Sequence, residues 1–133
     1  MNHNQKMKEE KDLEWRYVTP HEFEDLPEVP GVYIISTLQR ADDHYEVKYV
    51  GQAENLQARA KEHWSKHETN ESLKKHIHEK FAMKFSFLKV GSKEERDGLE
   101  LYLYNTFDPL LNHRKPPGET PIKCDLPMVR KHH

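Results

Sequence analysis

The chain has 133 residues, of which 33% are charged and 35% hydrophobic, and its formal net charge is −2. This length fits one domain, and no apolar run reaches the roughly 18 residues that a membrane-spanning helix needs. The polar N-terminus lacks the apolar stretch of a secretion signal, and one cysteine, Cys124, makes no internal disulfide, so we expect a soluble protein of the reducing cytoplasm.

Charge is distributed unevenly along the chain. Residues 1–47 carry 5 basic and 11 acidic side chains, residues 48–93 carry 10 and 5, and residues 94–133 carry 6 and 7. The basic middle part has the charge needed to hold an anionic polymer such as DNA. A solvated helical surface has the same composition, so charge alone leaves both interpretations open.

The chain begins with a polar tail, which we place at residues 1–18. The segment Thr19–Glu22 has the pattern of a capping box with proline at the first helical position. It therefore predicts a short helix that ends before Pro27.

A β-hairpin is predicted next. β-branched and aromatic residues indicate one strand over Gly31–Thr37 and a second over Tyr45–Gly51. The segment Gln39–His44 between them is polar, and Asp42 and Asp43 are typical of a turn.

Two helices follow the hairpin. The first begins at about Asn55 and ends near Lys66, and Asn70 is the predicted cap of the second, which ends near Lys80. In the first helix, apolar residues recur every four positions, which indicates one buried face: Leu56, Ala60 and Trp64.

The last predicted elements are a strand and the strongest helix. The strand covers Met83–Val90, with Phe85 and Phe87 on one face. The helix opens at a capping box, Ser92–Glu95, and Pro109 closes it. Its apolar face carries Leu99, Leu103 and Phe107.

These elements predict an α+β fold with a small three-stranded, mainly antiparallel sheet flanked by helices. We place the domain at residues 19–113. Residues 114–133 are rich in proline and lack periodicity, so they are predicted to form an irregular tail.

Several ionisable residues fall on faces where chemistry is possible. Glu100 projects from the apolar face of the last helix, where an isolated carboxylate is costly, so it needs a partner, a metal ion or a wet cleft. The simplest partner is Arg96, one helical turn earlier. Arg59 and His63 are four residues apart and share a helix face, which suits either an ordinary charged surface or the binding of one phosphate.

The hairpin carries two tyrosines and a glycine of interest. Tyr33 lies on the first strand, and Tyr49 and Gly51 share a face of the second. Strand tyrosines are usually core or rim residues. A glycine directly after a strand allows the backbone to approach a ligand closely.

The order and spacing of these residues resemble the GIY-YIG nuclease family. Gly31-Val32-Tyr33 resembles its first motif and Tyr49-Val50-Gly51 its second, with valine in place of isoleucine. The segment from Asn55 through Arg59 to His63 is similar to the helix that follows. The pattern from Leu99 to Asn112 most resembles the nuclease domain at the N-terminus of the bacterial excision-repair endonuclease. The resemblance covers about Leu26 to Asn112.

The resemblance implies a set of site residues: Tyr33, Tyr49, Arg59, His63, Glu100 and Asn112. By this likeness Glu100 is expected to bind one Mg²⁺ or Mn²⁺, and Asn112 to close the site. Gln52 departs from the pattern, because some members have a lysine after the second motif, and the segment between the tyrosines is longer than usual. The choice of Tyr49 or His63 as general base stays open.

The expected activity is metal-dependent hydrolysis of DNA phosphodiester bonds, with branched, nicked or damaged DNA as candidate substrates and repair as a candidate role. Gly51, Gln52, Lys48 and Lys61 are the predicted DNA contacts, and a protein partner is the candidate source of specificity. The alternative is a catalytically silent module of the same fold that binds nucleic acid or a protein.

Overall fold

The computed structural model describes residues 14–41, 43–79, 82–127 and 129–131. Its five strands are β1 (Arg16–Val18), β2 (Gly31–Gln39), β3 (His44–Ala53), β4 (Met83–Lys89) and β5 (Arg130–Lys131). A 3-10 helix covers Pro20–Asp25, and three α-helices follow: α1 (Leu56–His63), α2 (Glu71–His78) and α3 (Lys93–Phe107).

The described strands form one sheet in the order β1-β4-β2-β3-β5. The first four pair antiparallel and β5 pairs parallel to β3. The predicted α+β class and mainly antiparallel sheet are confirmed, but the predicted strand number of three is wrong. The two added strands have three and two residues, too short to give an alternating pattern, and they extend into the segments predicted as tails.

The predicted hairpin is longer than its sequence pattern indicated. β2 continues to Gln39 and β3 begins at His44, and Asp43 in the turn adopts a left-handed φ of 58°; Asp42 lies outside the described residues. A β-bulge interrupts the register, because Ile35 pairs with Tyr49 while Ser36 pairs with Val47. Lys48 is the extra residue, so Val47 and Val50 both enter the same core cluster.

The caps predicted at Asn70 and Ser92 form, and the structure adds a cap at Asn55. The side chains of Asn55, Asn70 and Ser92 each accept a hydrogen bond from the backbone three residues later, and the capping box at Thr19 is present. The helix from Asn55 ends at His63, three residues before the predicted end. Lys80, the predicted end of the next helix, lies outside the described residues.

The sheet separates two hydrophobic clusters. One joins the sheet to α1, α2 and the 3-10 helix, and it contains Tyr33, Leu56 and Phe85. The other lies under α3 and contains Val50, Leu99 and other apolar residues. The longest helix, α3, has 15 residues, and no helix within the described ranges has the length and apolar character to cross a membrane.

Candidate active site

The candidate site lies where β3 passes Gly51. Tyr33 pairs with Gly51 across the hairpin and Ile35 pairs with Tyr49, so both tyrosines are on the sheet face that α1 covers. Their ring centroids are 6.2 Å apart and their planes differ by 27°. Tyr33 is only 1% exposed, whereas Tyr49 is partly buried, so Tyr49 is the phenol that solvent reaches more easily.

Gly51 makes room for the Tyr33 ring. A Cβ atom at position 51 would lie 2.5 Å from Tyr33 Oη and 2.6 Å from its Cζ, well inside van der Waals contact. The sequence suggested that a ligand approaches the backbone at Gly51. In the structure the group that approaches it is the Tyr33 side chain of the same hairpin. A contact between Gly51 and DNA stays a prediction.

Gly51→Ala should displace the Tyr33 ring and lower the free energy of unfolding by about 1–3 kcal/mol, the usual cost of an overpacked core. Chemical denaturation measures the difference. Gly91→Ala is the matched control, because a Cβ there meets nothing within 4 Å. Equal stability of the two variants would contradict the proposed packing role of Gly51.

A buried chain of hydrogen bonds supports Tyr33. Its hydroxyl lies 2.6 Å from His63 Nε2, and His63 Nδ1 contacts Glu68 Oε1. The other Glu68 oxygen accepts a 2.7 Å hydrogen bond from the Asn70 backbone. Because an ionised carboxylate can only accept, Glu68 fixes a proton on Nδ1 and leaves Nε2 to accept from the Tyr33 hydroxyl.

Burial and the neighbouring charges keep His63 and Glu68 in one protonation state. Burial lowers the pKa of His63 to about 4, with help from the charge of Arg59, although Glu68 acts to raise it. Burial acts to raise the pKa of Glu68, but the hydrogen bonds from Asn70 and His63 lower it overall. At neutral pH we therefore expect a neutral imidazole bound to a carboxylate.

Glu68 was not among the predicted site residues. It lies in the loop between α1 and α2 and is 4% exposed, and a carboxylate in a loop normally faces water. The only hint in the sequence is its position two residues before the helix cap Asn70. Its contact with His63 depends on how the loop folds back, which the local pattern does not show.

Arg59 lies beside both phenols. Burial raises the pKa values of Tyr33 and Tyr49, and the positive charge of Arg59 opposes that rise in both cases. Its side chain is 31% exposed and forms an ion pair with the more exposed Glu62. The structure therefore brings Arg59, Tyr33 and Tyr49 together and leaves the guanidinium accessible.

Glu100 approaches the phenols from the other side of the sheet. It is 8% exposed on α3, and its negative charge raises the pKa values of both Tyr33 and Tyr49. Burial raises the pKa of Glu100 itself, while a hydrogen bond from Gln52 opposes the rise. Charged groups from both sides of the sheet, Arg59 and Glu100, therefore act on the same two phenols.

The simplest partner predicted for Glu100 is not the one it has. Arg96 donates to the carbonyls of Val90 and Gly91 at 3.2 and 2.8 Å, and its Nε donates to Gln52 Oε1 at 3.3 Å. Gln52 Nε2 in turn donates to Glu100 Oε1 at 2.8 Å. The expectation of a direct Arg96–Glu100 ion pair is therefore wrong, because a glutamine lies between the two groups.

Asn112 holds the edge of β3. Its Oδ1 accepts from the Val50 backbone N–H at 2.9 Å and its Nδ2 donates to the Val50 carbonyl at 2.8 Å. The neighbouring Leu111 N–H donates to the Lys48 carbonyl. Both groups of the Asn112 amide are engaged with Val50, so in this structure the side chain holds β3 in position and has no free amide group for a substrate.

The predicted DNA contacts have partners within the chain. Lys61 pairs with Glu24, and the mostly buried Lys48 lies 3.4 Å from Glu46 Oε1. The Gln52 side chain is hydrogen-bonded to Arg96, Asp97 and Glu100 of α3. Contact with DNA at these positions stays a prediction, and it would require the two lysines to exchange partners.

The donor set fits a hard divalent cation with one protein ligand. Within the described residues only Gln52 is hydrogen-bonded to the Glu100 carboxylate, and Glu100 Oε2 is not among the buried atoms that lack a partner, so solvent reaches it. No group of three or more His, Cys, Asp or Glu side chains in the described ranges is arranged to hold a metal ion. Mg²⁺ commonly keeps several waters and takes one or two carboxylates, so a lone Glu100 oxygen suits it.

Comparison with known proteins agrees with this geometry. A family model described as the GIY-YIG catalytic domain matches residues 29–115. Two solved structures of the GIY-YIG N-terminal endonuclease domain of UvrC from Thermotoga maritima, both point mutants bound to the catalytic divalent cation, are 22% identical to the chain. Their TM-scores are 0.55 and 0.53, and in each case the match covers 71% of this chain and 93% of the other. No curated protein sequence matches the chain.

Proposed function

This chain belongs to the GIY-YIG catalytic domain family, and on that premise we propose that it is a divalent-metal-dependent endonuclease that hydrolyses DNA phosphodiester bonds. One observation carries the proposal. An accessible guanidinium, two phenols and a carboxylate with a solvent-accessible oxygen converge at the edge of β3. A module that only binds has no need of an ionisable Glu100 in a buried position.

A phosphodiester resists attack because it is charged, so the site must neutralise charge as the transition state forms. Arg59 is proposed to hold the non-bridging oxygens, for which its planar fork of donors is suited. Glu100 is proposed to hold Mg²⁺ or Mn²⁺, which when bound supplies Lewis-acid stabilisation of the departing oxygen. Arg59 and Glu100 each lie near enough to both phenols to shift their pKa values, so the two groups are proposed to act on one phosphate.

Tyr49 is the proposed acceptor of the proton from the attacking water. It is the more exposed phenol, and although burial raises its pKa, the charge of the neighbouring Arg59 opposes that rise and favours the ionised form that accepts a proton. His63 is 1% exposed, and its Nε2 already accepts from Tyr33. We therefore assign His63 the role of holding Tyr33 in place.

The proposed setting is the cytoplasm, with one free cysteine, Cys124, in the described residues. DNA repair is the proposed role, by likeness to the UvrC endonuclease domain. Branched, nicked or damaged DNA is the proposed substrate, and a protein partner is the proposed source of specificity.

One observation favours the alternative, a silent module that binds nucleic acid or a protein. Arg59, Lys61 and Lys48 each have a carboxylate partner within the chain, which lowers the positive potential offered to DNA. The same assay separates the two functions, because a silent module shifts DNA mobility without cutting.

The proposal is tested by incubating the chain with supercoiled and branched DNA in Mg²⁺, in Mn²⁺ and after treatment with EDTA. Nicked product should appear with either cation, disappear with EDTA and return when the cation is restored. The reason is that Glu100 is proposed to bind the cation, and the cation supplies positive charge that the side chains of the site lack. Cleavage that persists in EDTA would contradict metal dependence. DNA binding without cleavage on every substrate would support the silent module.

A further inference from the structure

Arg96 and Glu100 are one turn apart on α3, and both are buried, with exposures of 3% and 8%. Opposite charges at this spacing normally pair directly. In this chain the guanidinium instead bonds the backbone carbonyls of Val90 and Gly91 and the side-chain oxygen of Gln52. A buried arginine therefore lies one helical turn from a buried carboxylate without touching it.

Gln52 occupies the position between them. Its Oε1 accepts from Arg96, and its Nε2 donates to Glu100 Oε1 and to Asp97 Oδ1 at 2.8 and 2.7 Å. An amide makes both kinds of bond at once, whereas a lysine there could only donate and an ionised glutamate could only accept. Both polar atoms of the Gln52 side chain, Oε1 and Nε2, are thus hydrogen-bonded, and these bonds fix the orientation of the amide.

We propose that Gln52 is a positioning residue that separates Arg96 from Glu100, so that one carboxylate oxygen stays available for a divalent cation. A direct bidentate pair with arginine would occupy both oxygens of Glu100. Gln52 takes only Oε1 and adds no charge of its own. The inference rests on the proposed function, since it assigns the cation to Glu100.

The first experiment measures Mn²⁺ binding by the electron paramagnetic resonance signal of free Mn²⁺. Gln52→Ala should weaken binding by about 10–100-fold, the usual effect of losing a residue that supports a metal ligand. Arg96→Met alone should change it little. Adding Arg96→Met to Gln52→Ala should recover at least about tenfold, because the competing guanidinium is then absent.

Recovery of Mn²⁺ binding in the double variant shows whether Gln52 separates Arg96 from Glu100 or only supports the local fold. If Gln52 only supports the local fold, the double variant binds as weakly as Gln52→Ala or more weakly, and the inference is overturned. Thermal melting of each variant checks its fold. Arg96→Gln is the second neutral replacement if Arg96→Met, which removes two hydrogen bonds to buried carbonyls, does not fold.

The second experiment needs no metal. Arg96→Met and Glu100→Gln are combined in a double-mutant cycle of unfolding in EDTA, once with Gln52 present and once with Gln52→Ala. The factor by which the Arg96 and Glu100 substitutions change each other's effect on the unfolding equilibrium constant should be near one when Gln52 is present. It should be at least about tenfold when Gln52 is replaced by alanine. Equal coupling in both backgrounds overturns the inference. The exposed Glu95 on the same helix gives the matched control as Glu95→Gln.

The two experiments fail in different ways. Absence of Mn²⁺ binding by the unaltered chain would count against the metal-dependent function and against the role of Gln52 in metal binding. The metal-free cycle still decides whether Gln52 keeps the two charges apart. Mn²⁺ binding that survives Gln52→Ala unchanged would overturn only the role of Gln52.

Discussion

Glu100→Gln should reduce DNA cleavage by at least about a hundredfold and abolish tight Mn²⁺ binding, because the carboxylate is the one protein ligand proposed for the cation. Glutamine keeps the size of the side chain and can still accept the hydrogen bond from Gln52, so the local packing is preserved. The loss therefore reports on charge. Nicking rates at saturating metal and DNA measure it.

The same variant should not lose stability. Burial raises the pKa of Glu100, which means that the folded chain binds this proton more tightly than the unfolded chain. The ionised carboxyl therefore costs stability at neutral pH, and the neutral glutamine removes that cost. Glu95→Ala on the exposed side of α3 is the control and should cut DNA normally. Glu100→Gln protein that is folded and still cuts at the normal rate would end the assignment.

Arg59→Ala should lower turnover by about 10²–10³-fold, which corresponds to about 2.7–4 kcal/mol of transition-state stabilisation. The reason is that Arg59 is the accessible cation beside the phenols, and charge builds on the phosphate oxygens as the bond breaks. Arg59→Lys should recover only part of the rate, because an ammonium lacks the planar fork that binds two oxygens at once. Single-turnover nicking rates give the comparison.

Two controls accompany this result. Lys75→Ala removes an exposed positive charge from α2, so it measures the loss of general attraction for DNA. Glu62→Ala removes the ion-pair partner of Arg59 and should leave turnover unchanged or raise it. A loss of less than about tenfold in Arg59→Ala, or a loss equal to that of Lys75→Ala, would exclude Arg59 from catalysis.

Features that depend on neighbouring residues could be predicted from the sequence. The caps at Asn70 and Ser92 were correct because a cap is one side chain bonding the backbone three residues away. The three central strands were correct because β-branched or aromatic residues recur along each of them. The outer strands were missed because Arg16–Val18 and Arg130–Lys131 are defined by pairing with distant strands and are too short to show a pattern of their own.

The same distinction applies to the site. Spacing along α1 placed Arg59 and His63 on one face, but it did not show that His63 is buried and bonded to Tyr33, 30 residues away. Spacing along α3 suggested Arg96 as the partner of Glu100. Gln52 intervenes from β3, 48 positions from Glu100, and such a contact follows only from the pairing of a strand with a helix.

The Asn112 side chain, which binds the backbone N–H and carbonyl of Val50, has a consequence for solubility. An outer strand with a free run of N–H and C=O groups is a template on which a second copy of a protein can add, leading to aggregation. In the described part of the chain β5 pairs with β3 at Glu46 and Val47, and the segment at Asn112 takes the backbone of Lys48 and Val50. The stretch beside Gly51 that is left is too short to template another molecule, so the proposed active site can stay open to DNA without this edge of β3 inviting a second copy to add.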